Sequence, residues 1–285
     1  MSRRKVARKL LLFALSLPVF IFIYLPILWL IISSISTRAE LLAVPLRWIP
    51  SHPNLRNYLD ILIPGTAASE VARTFKVTLK NSLVVASSVT VISLVIGSLA
   101  AYSLVRIRFP MYSLLLIAIL GVRMIPEISL VIPLYVIATR IGIFNTPLVL
   151  ILTYLSFALP FAIWLMAAFF ETIPVELEDA ARIDGCNRAQ TLFRIVLPIS
   201  APGLISTTLF VFLMAWDEFF FALIFTSTIA AKTVPVAIAE FTGRYVVDIT
   251  AMMTGGVLAA IPPVLLALVF QRYIVSGLTA GAVKG

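Results

Sequence analysis

Charged side chains are scarce in this chain of 285 residues, because Asp, Glu, Lys and Arg together make up only 12% of it. Hydrophobic residues make up 61%, and the mean hydropathy is +1.08. The surface of a water-soluble domain carries about 25–35% charged residues, so this composition excludes an ordinary soluble protein. The chain is therefore predicted to lie mostly within a lipid bilayer.

Cysteine and histidine are almost absent, with one residue of each. The single Cys186 excludes an internal disulfide, and the single His52 excludes a zinc cluster of the usual kind. We interpret Cys186 as a small packing residue rather than a redox group. The chain ends in GLTAGAVKG but lacks the G-K-[ST] order of a phosphate-binding loop. No catalytic, cofactor-binding or metal-binding residue is predicted, and any ATP must be bound by a partner.

Six apolar runs follow one another along the chain, each near the ~20 residues that cross about 30 Å of hydrocarbon. Continuous runs predict helices, because the strands of a barrel would alternate over ten-residue segments. The first run is too long for a signal peptide and lacks a small-residue cleavage site, so it is interpreted as a span. We expect one all-α transmembrane domain over residues 1–285, with spans at about 10–33, 82–105, 111–138, 147–170, 202–225 and 251–270, a loop at 171–198 and a tail at 271–285.

Basic residues are concentrated at the N-terminus, where five of the 22 lie in the first nine positions. Their place directly before an apolar run indicates a cytoplasmic anchor rather than a groove for phosphates, so no nucleic-acid partner is expected. Six spans then put both termini and the 171–198 loop in the cytoplasm. The polar excursion at 34–80 lies outside, where it is interpreted as a folded cap over the first span.

The loop at 171–198 separates the fourth and fifth apolar runs, and its first half is predicted to form a short helix. Thr172 can cap that helix, and Pro174 suits its first turn, where a missing N–H costs nothing. Gly185 is expected to end it, since glycine tolerates the left-handed conformation of a C-terminal cap. Negative charge near the positive end of the helix dipole comes from Glu176, Glu178 and Asp179.

The second half of the loop is predicted to form another helix. Asn187, with Gln190 three residues later, resembles a capping box that opens this helix. The helix is expected to end before Pro198, because the residue before a proline is disfavoured in the helical conformation. In the first helix, Ala180 and Ala181 are small enough for another surface to approach closely. A capped helix with a small face on a membrane protein's loop is typical of a docking site for a partner.

These residues carry a resemblance to a known family. The order Asp179-Ala180-Ala181, Asp184-Gly185 and Leu197-Pro198, with Phe193 and Ile195 between, resembles the EAA loop of binding-protein-dependent ABC importer permeases. Within that group the chain is similar to the smaller permease subunit of maltose- and trehalose-type sugar importers, whose C-terminal tail resembles GLTAGAVKG here. One departure concerns Asp179, where the family usually has a glutamate. The charge is kept on a shorter arm.

The resemblance implies a prokaryotic plasma (inner) membrane protein that works with several partners. These are a second permease subunit, two copies of an ATPase that binds ATP and Mg²⁺, and an external solute-binding protein that delivers a sugar. It also implies that the excursion at 34–80 faces the solute-binding protein. The ATPase would dock on Glu178, Asp179, Ala180, Ala181, Asp184 and Gly185, and it would be reached by the tail residues Gly277, Leu278, Thr279, Ala280, Gly281 and Lys284. The tail is too polar and glycine-rich to be expected as a span or a stable helix.

Ionisable residues inside the spans are the remaining signal, since a charge at the membrane centre costs about 2.5 kcal/mol or more. The spacing of Arg123 and Glu127 puts both on one helical face, close enough to pair. Asp217 and Glu218 lie beside Trp216 in the fifth span, at a depth similar to that of Arg123. These residues are interpreted as interhelical ties, as part of the solute path or its outer gate, or as a proton-coupling site. One hypothesis ties Arg123 to Asp217 or Glu218.

Three functions remain open at this point. The resemblance favours the permease subunit of an ATP-driven importer, with a di- or oligosaccharide as its substrate. A secondary transporter that uses its intramembrane carboxylates would work without an ATPase. A membrane scaffold would have no substrate of its own. Co-purification of an ATPase separates the first function from the other two.

Overall fold

The computed structural model describes residues 3–63, 70–107, 111–241 and 249–280. These residues form helices, turns and loops and contain no strand, which confirms the all-α prediction. In chain order the α-helices are α1 (Arg3–Ile35), α2 (Arg38–Leu41), α3 (Arg56–Leu62), α4 (Glu70–Arg106), α5 (Tyr112–Gly121), α6 (Glu127–Arg140), α7 (Pro147–Glu171), α8 (Val175–Ile183), α9 (Arg188–Thr191), α10 (Leu197–Ile199), α11 (Ala201–Trp216), α12 (Phe220–Phe225), α13 (Val234–Glu240) and α14 (Ile249–Ala280).

Four helical segments are long and apolar enough to cross a membrane, and two bent helix pairs pass the same test when each pair is taken together. If each bent pair is one span, the described residues hold six, the number predicted from the sequence. The single segments are Leu12–Ile35, Arg73–Arg106, Pro147–Glu171 and Ile249–Arg272, and the bent pairs are Tyr112–Met124 with Glu127–Arg140 and Arg188–Ile199 with Ala201–Trp216.

The third apolar run, expected as one span over 111–138, is not a single straight helix. A 3₁₀ turn follows α5, and the chain then bends by 86° before α6 begins. Ile125 has the extended conformation (φ −71°, ψ 123°) because the ring of Pro126 disfavours a helical residue before it. Pro133, in contrast, lies inside α6 without breaking it. Arg123 and Glu127 are therefore on two differently directed helical pieces rather than on one face.

The fifth run, expected over 202–225, is also divided. Helix α11 ends at Trp216, and a short non-helical segment separates it from α12. At its other end, α11 meets the preceding helical turns at an angle of 79°. The break exposes backbone N–H groups at the start of α12, and these need acceptors other than a preceding helical turn.

The structure divides into two compact units, which the long helices α4 and α14 each enter. The first unit contains Met1–Lys76 and Ala237–Ile261, and the second contains Val77–Val236 and Pro262–Gly285.

In the first unit, α1 packs against the beginning of α14 through small residues. The hydroxyl of Thr254 donates to the carbonyl oxygen of Ser34 at 3.2 Å. A Cβ atom on Gly256 would lie 3.3 Å from the side chain of Leu30, so the two helices approach closely. The hydroxyls of Ser34 and Tyr58 are 2.6 Å apart, which holds α3 against the end of α1.

The described part of the polar excursion folds around Glu40. Its carboxylate accepts the backbone N–H and the hydroxyl of Thr37, which completes a capping box for α2. The other carboxylate oxygen accepts the N–H of Ser51 at 2.7 Å. The hydrogen bonds from the N–H groups of Thr37 and then Ser51 lower the pKa of Glu40 from 4.5 to about 2.

Acid is expected to loosen this loop only well below neutral pH. A carboxyl whose folded pKa is lowered contributes stability that is full above its unfolded pKa, here 4.5, and is lost as the pH falls towards about 2. Hydrogen exchange of the Ser51 amide, corrected for its intrinsic pH dependence, should therefore be constant from pH 7 to about 5 and rise below that. Glu40→Ala should exchange fast throughout this range. Equal protection in the two proteins would contradict the assigned role.

In the second unit, the core is built between α4, α7, α11 and α12. Close approach of α4 and α7 depends on Gly97, where a Cβ atom would lie 3.2 Å from that of Ala162. The fully or almost fully buried side chains of this core include Val85, Ala86, Val89, Leu150, Tyr154, Ala158, Ala162, Val211, Ala215, Phe221 and Phe225.

Candidate functional site

Helix α8 has well-defined ends. Pro174 is its N-cap residue, so the predicted cap at Thr172 is wrong. Thr172 lies too early in the chain, and its hydroxyl donates back to the carbonyl oxygen of Phe169 in α7 at 2.7 Å. At the other end, Gly185 has a φ of +87°, which confirms that it stops the helix. The N–H of Gly185 donates to Arg182 and that of Cys186 to Ala181, the pair of bonds of a Schellman motif.

The second helix of the loop opens as predicted but continues further. The side-chain oxygen of Asn187 accepts the N–H of Gln190, and that of Gln190 accepts the N–H of Asn187, both at 2.9 Å. The helical path does not end before Pro198, which lies in the first turn of α10. A π-helical turn at Leu192–Val196 precedes it, and the N–H of Leu197 donates five residues back. This shift of the hydrogen-bond ladder accommodates a proline that has no N–H.

The predicted docking residues divide between two faces of α8. Asp179, Ala180, Asp184 and Gly185 are exposed on the outer side. Ala181 is 4% exposed and packs inward. The outer side also carries exposed apolar side chains, with Ile183 87% exposed, Leu177 43% and Val175 40%. A helix that leaves this much apolar surface uncovered next to acidic groups has the composition of a protein-binding surface.

Glu178 is a correction to the predicted docking set. Its side chain is fully buried and cannot reach a partner, because it points from the first turn of α8 towards the end of α4. Oε1 accepts the Nε–H of Arg106 at 2.5 Å, and Oε2 accepts the hydroxyl of Tyr102 at 2.8 Å. Glu178 therefore fixes the buried side of α8 to the end of α4.

The exposed acidic residue Asp179 has a weaker partner. It lies 3.3 Å from Arg182 one turn later, and the two side chains are 59% and 44% exposed. A pair this open to solvent contributes about 0–1 kcal/mol, so it leaves Asp179 available to another cation.

The predicted tail is described only in part. Gly277, Leu278, Thr279 and Ala280 continue α14, so this part is helical, contrary to the expectation. The physical reason is that the preceding turns of a long helix already supply the hydrogen-bond acceptors for these residues. Gly281 and Lys284 lie outside the described residues.

The predicted tie from Arg123 is absent. No ion pair joins Arg123 to Asp217 or Glu218, all three of which belong to the described chain. The guanidinium of Arg123 lies over the ring of Phe161 at 5.3 Å from its centroid, a cation–π contact. The bend of 86° before α6 redirects the chain here, whereas the predicted tie assumed one straight helix.

The residues around the end of α11 have different surroundings. Trp216 is 3% exposed and stacks on Phe212 with 5.5 Å between ring centroids, so it belongs to the core. The carboxylate of Glu218 accepts the N–H groups of Phe221 at 2.7 Å and Ala222 at 3.1 Å. It thereby supplies acceptors that α12 needs where the fifth run breaks. The side chains of Arg123, Glu127 and Asp217 are exposed.

Removal of this cap is expected to destabilise the second unit. Glu218→Ala leaves two N–H groups without acceptors and should lower the free energy of unfolding by about 1–2 kcal/mol, the cost of losing a strong helix cap. Asp217→Ala, at the neighbouring exposed position, is the matched control and should change it by less than about 0.5 kcal/mol. Denaturant titration of the chain in detergent measures both, and equal losses would refute the cap.

Two residues of this site were not selected from the sequence. Arg106 closes the second apolar run and Tyr102 lies within that run, and nothing in the sequence around them indicates a site. Their partner Glu178 is 76 positions from Tyr102 and 72 from Arg106. A basic residue in the last turn of an apolar helix was the one available signal, and it does not indicate a partner.

Comparison with known proteins covers almost the whole chain. The model of the family described as binding-protein-dependent transport system inner membrane component matches residues 93–280. The chain is 40% identical over 284 residues to the trehalose/maltose transport system permease protein MalG of Thermococcus litoralis, with 99% of each chain covered. It is 41% identical over 263 residues to the trehalose transport system permease protein SugB of Mycobacterium tuberculosis, with 92% of each covered.

A solved structure agrees with the fold. The chain superposes with a TM-score of 0.79 on a chain of a bacterial ABC transporter involved in the import of the acidic polysaccharide alginate. The superposition covers 96% of this chain and 99% of that one, at 20% identity. At this identity the similarity concerns the fold alone.

Proposed function

Because this chain belongs to the family of binding-protein-dependent transport system inner membrane components, we propose that it is the permease subunit of an ATP-driven sugar importer. One observation carries the proposal, namely the similarity of about 40% identity along nearly the full length to permeases named for trehalose and maltose. These sugars are disaccharides, so a di- or oligosaccharide is the proposed substrate. The chain acts in the inner membrane as a multi-pass protein.

ATP hydrolysis is assigned to a separate subunit. The outer side of α8 is the proposed docking surface, with Asp179, Ala180, Asp184 and Gly185 at its contact. A carboxylate on this exposed side would pair with a basic residue of the ATPase, and the apolar residues beside it would be covered in the complex. Two ATPase copies, each binding ATP and Mg²⁺, would serve this chain and a second permease subunit.

The substrate path is proposed to lie between the two permease subunits. An external solute-binding protein delivers the sugar, and the exposed Arg123, Glu127 and Asp217 offer charged hydrogen-bonding groups to its hydroxyls. Their positions next to breaks in the helices allow movement there without breaking a regular hydrogen-bond ladder. Movement of α8 with the ATPase would then open the path alternately to the two sides.

Both termini and α8 are proposed to face the cytoplasm, where the tail at 277–285 would also contact the ATPase. The five basic residues among the first nine support this orientation. The ATPase contact requires it, since ATP is available on that side.

Reconstitution tests the proposed function. The chain should co-purify with its second permease and ATPase, and liposomes holding the complex and the solute-binding protein should accumulate maltose or trehalose with ATP supplied on the ATPase side. An ATPase variant that binds but does not hydrolyse ATP is the control and should abolish uptake. Uptake by this chain without any ATPase would support a secondary transporter instead, and stable assembly without uptake of any sugar in a panel would support a scaffold.

A further inference from the structure

Arg106 contacts three separate parts of the second unit. Besides its bond to Glu178 in α8, its Nη2 donates to the carbonyl oxygens of Phe170 at 3.1 Å and Ile173 at 3.0 Å. Phe170 lies in the last turn of α7, and Ile173 lies in the link between α7 and α8. One guanidinium at the end of α4 therefore joins α4, α7 and α8. The planar group has several donors in a fixed arrangement, which suits it to bind several acceptors at once.

Apolar packing surrounds this ion pair. The rings of Tyr102 and Phe170 meet edge to face with 6.3 Å between their centroids. These two rings belong to a cluster of buried apolar side chains from the ends of α4 and α7 and from the π-helical turn that follows α8. Its buried members are Ala101, Tyr102, Val105, Met166, Ala167, Phe170, Ile173, Leu192 and Val196.

Separation of α8 from α4 would be costly because the ion pair is buried. The side chains of Arg106 and Glu178 are only 9% and 1% exposed, whereas those of Asp179 and Arg182 are open to solvent. A buried charge that loses its partner is far more unfavourable than an exposed one. The exposed pair on the outer side of α8 can exchange its partners, whereas the inner pair resists separation.

We propose that Arg106 and Glu178 are positioning residues that make α8 and the adjoining ends of α4 and α7 one rigid body. A displacement imposed on α8 is then passed directly to two membrane-spanning helices, and α8 does not slide over them. The proposal rests on the proposed docking of an ATPase at α8. It specifies in addition which residues transmit a displacement of α8 to α4 and α7.

Distances between spin labels in the assembled complex test the rigid body. Cysteines replace the exposed Ser103 of α4 and Glu176 of α8, and Cys186→Ser removes the single native thiol. Between the nucleotide-free complex and one holding ATP and Mg²⁺ on a hydrolysis-deficient ATPase, the distance should stay constant to within about 2 Å, the scale of small helix shifts. A larger change would overturn the rigid body.

Variants of Arg106 distinguish a role in positioning α8 from a role in the stability of the fold alone. In Arg106→Gln, the label distance should change with nucleotide, and sugar moved per ATP hydrolysed should fall on the order of 10-fold, while the ATPase still co-purifies. Arg106→Lys keeps the charge but lacks the fixed arrangement of donors, so an intermediate loss is expected. Arg140→Gln, at an exposed arginine in the last turn of α6, is the matched control and should leave the ratio unchanged. An unchanged ratio in Arg106→Gln would refute the proposal.

The two proposals fail in different ways. If the ATPase does not co-purify with the wild-type chain, the proposed function is wrong. If it co-purifies and supports uptake but the label distance in the wild-type complex changes with nucleotide, only the rigid body is wrong. The wild-type measurement gives this answer even if Arg106→Gln does not fold.

Discussion

Asp179→Lys is expected to abolish most ATP-driven uptake while the chain still inserts into the membrane normally. The side chain is 59% exposed on the outer side of α8 and its pair with Arg182 contributes little, so the fold does not depend on it. In the complex, the new lysine would face the basic residue of the ATPase that is proposed to pair with Asp179. Loss of a charge pair at an interface costs about 2–5 kcal/mol, which corresponds to a fall of at least about 30-fold. Co-purification measures whether the ATPase still binds, and uptake into liposomes measures transport.

The control for Asp179→Lys is Glu176→Lys. Glu176 is an exposed carboxylate in the first turn of the same helix, and it is outside the proposed docking set. The same change in net charge there should lower uptake far less. Wild-type uptake by Asp179→Lys would show that this residue does not bind the ATPase.

Gly203→Val is expected to cause the largest loss of stability. Gly203 lies in α11 against α7, and a Cβ atom there would meet the ring of Phe169 at 2.4 Å from its Cγ, closer than van der Waals contact permits. The contact involves the base of the ring, so a small rotation does not relieve it. Overpacking in a buried site typically costs about 1–3 kcal/mol, and a branched side chain lies at the upper end. Thermal unfolding in detergent measures this loss.

Two further variants test the cause of that loss. At Gly121 in α5, no atom beyond its chain neighbours and the backbone of its own helix lies within 4 Å of the position that an added methyl group would take, so Gly121→Ala should be neutral or stabilise the helix by about 0.5–1 kcal/mol. Phe169→Ala should recover part of the stability lost in Gly203→Val, because it removes the ring that the new side chain meets. Additive losses in the double variant would contradict the assigned contact.

Much of the local structure could be predicted from the sequence, because its causes are local. The capping box at Asn187 and Gln190 depends on two side chains three residues apart, and the stop at Gly185 depends on one backbone conformation. The number of candidate spans follows from the lengths of apolar runs, which the bilayer thickness determines. Each of these rules needs only a short window of sequence.

The breaks in the helices could not be located in the same way. Pro126 accompanies a bend of 86°, whereas Pro160 lies within α7, which is continuous over its whole length. A proline frees a backbone acceptor in both cases, and the surrounding helices decide whether the chain bends or stays regular. The predicted tie from Arg123 assumed a straight helix and is absent in the bent chain.

The contacts of Glu178 could not be predicted from the sequence for a different reason. Glu178 looked like a docking residue because it stands next to Asp179, yet adjacent residues on a helix point about 100° apart. That rotation places one carboxylate inside the second unit and leaves the other outside. Which of the two is inside depends on Arg106, whose approach to α8 is a tertiary event.

The separation of Arg106 and Glu178 along the chain also has a consequence for biogenesis. During synthesis the arginine emerges first, and its partner follows 72 residues later. At about 5–20 residues per second, the interval is roughly 4–14 s, during which α5, α6 and α7 must also be inserted. The guanidinium of Arg106 therefore has no partner in α8 until the intervening helices are in place, and only then can its bond to Glu178 form. A chain arrested or misinserted anywhere in that interval keeps an unmatched charge at the end of α4, which distinguishes it from a completed permease.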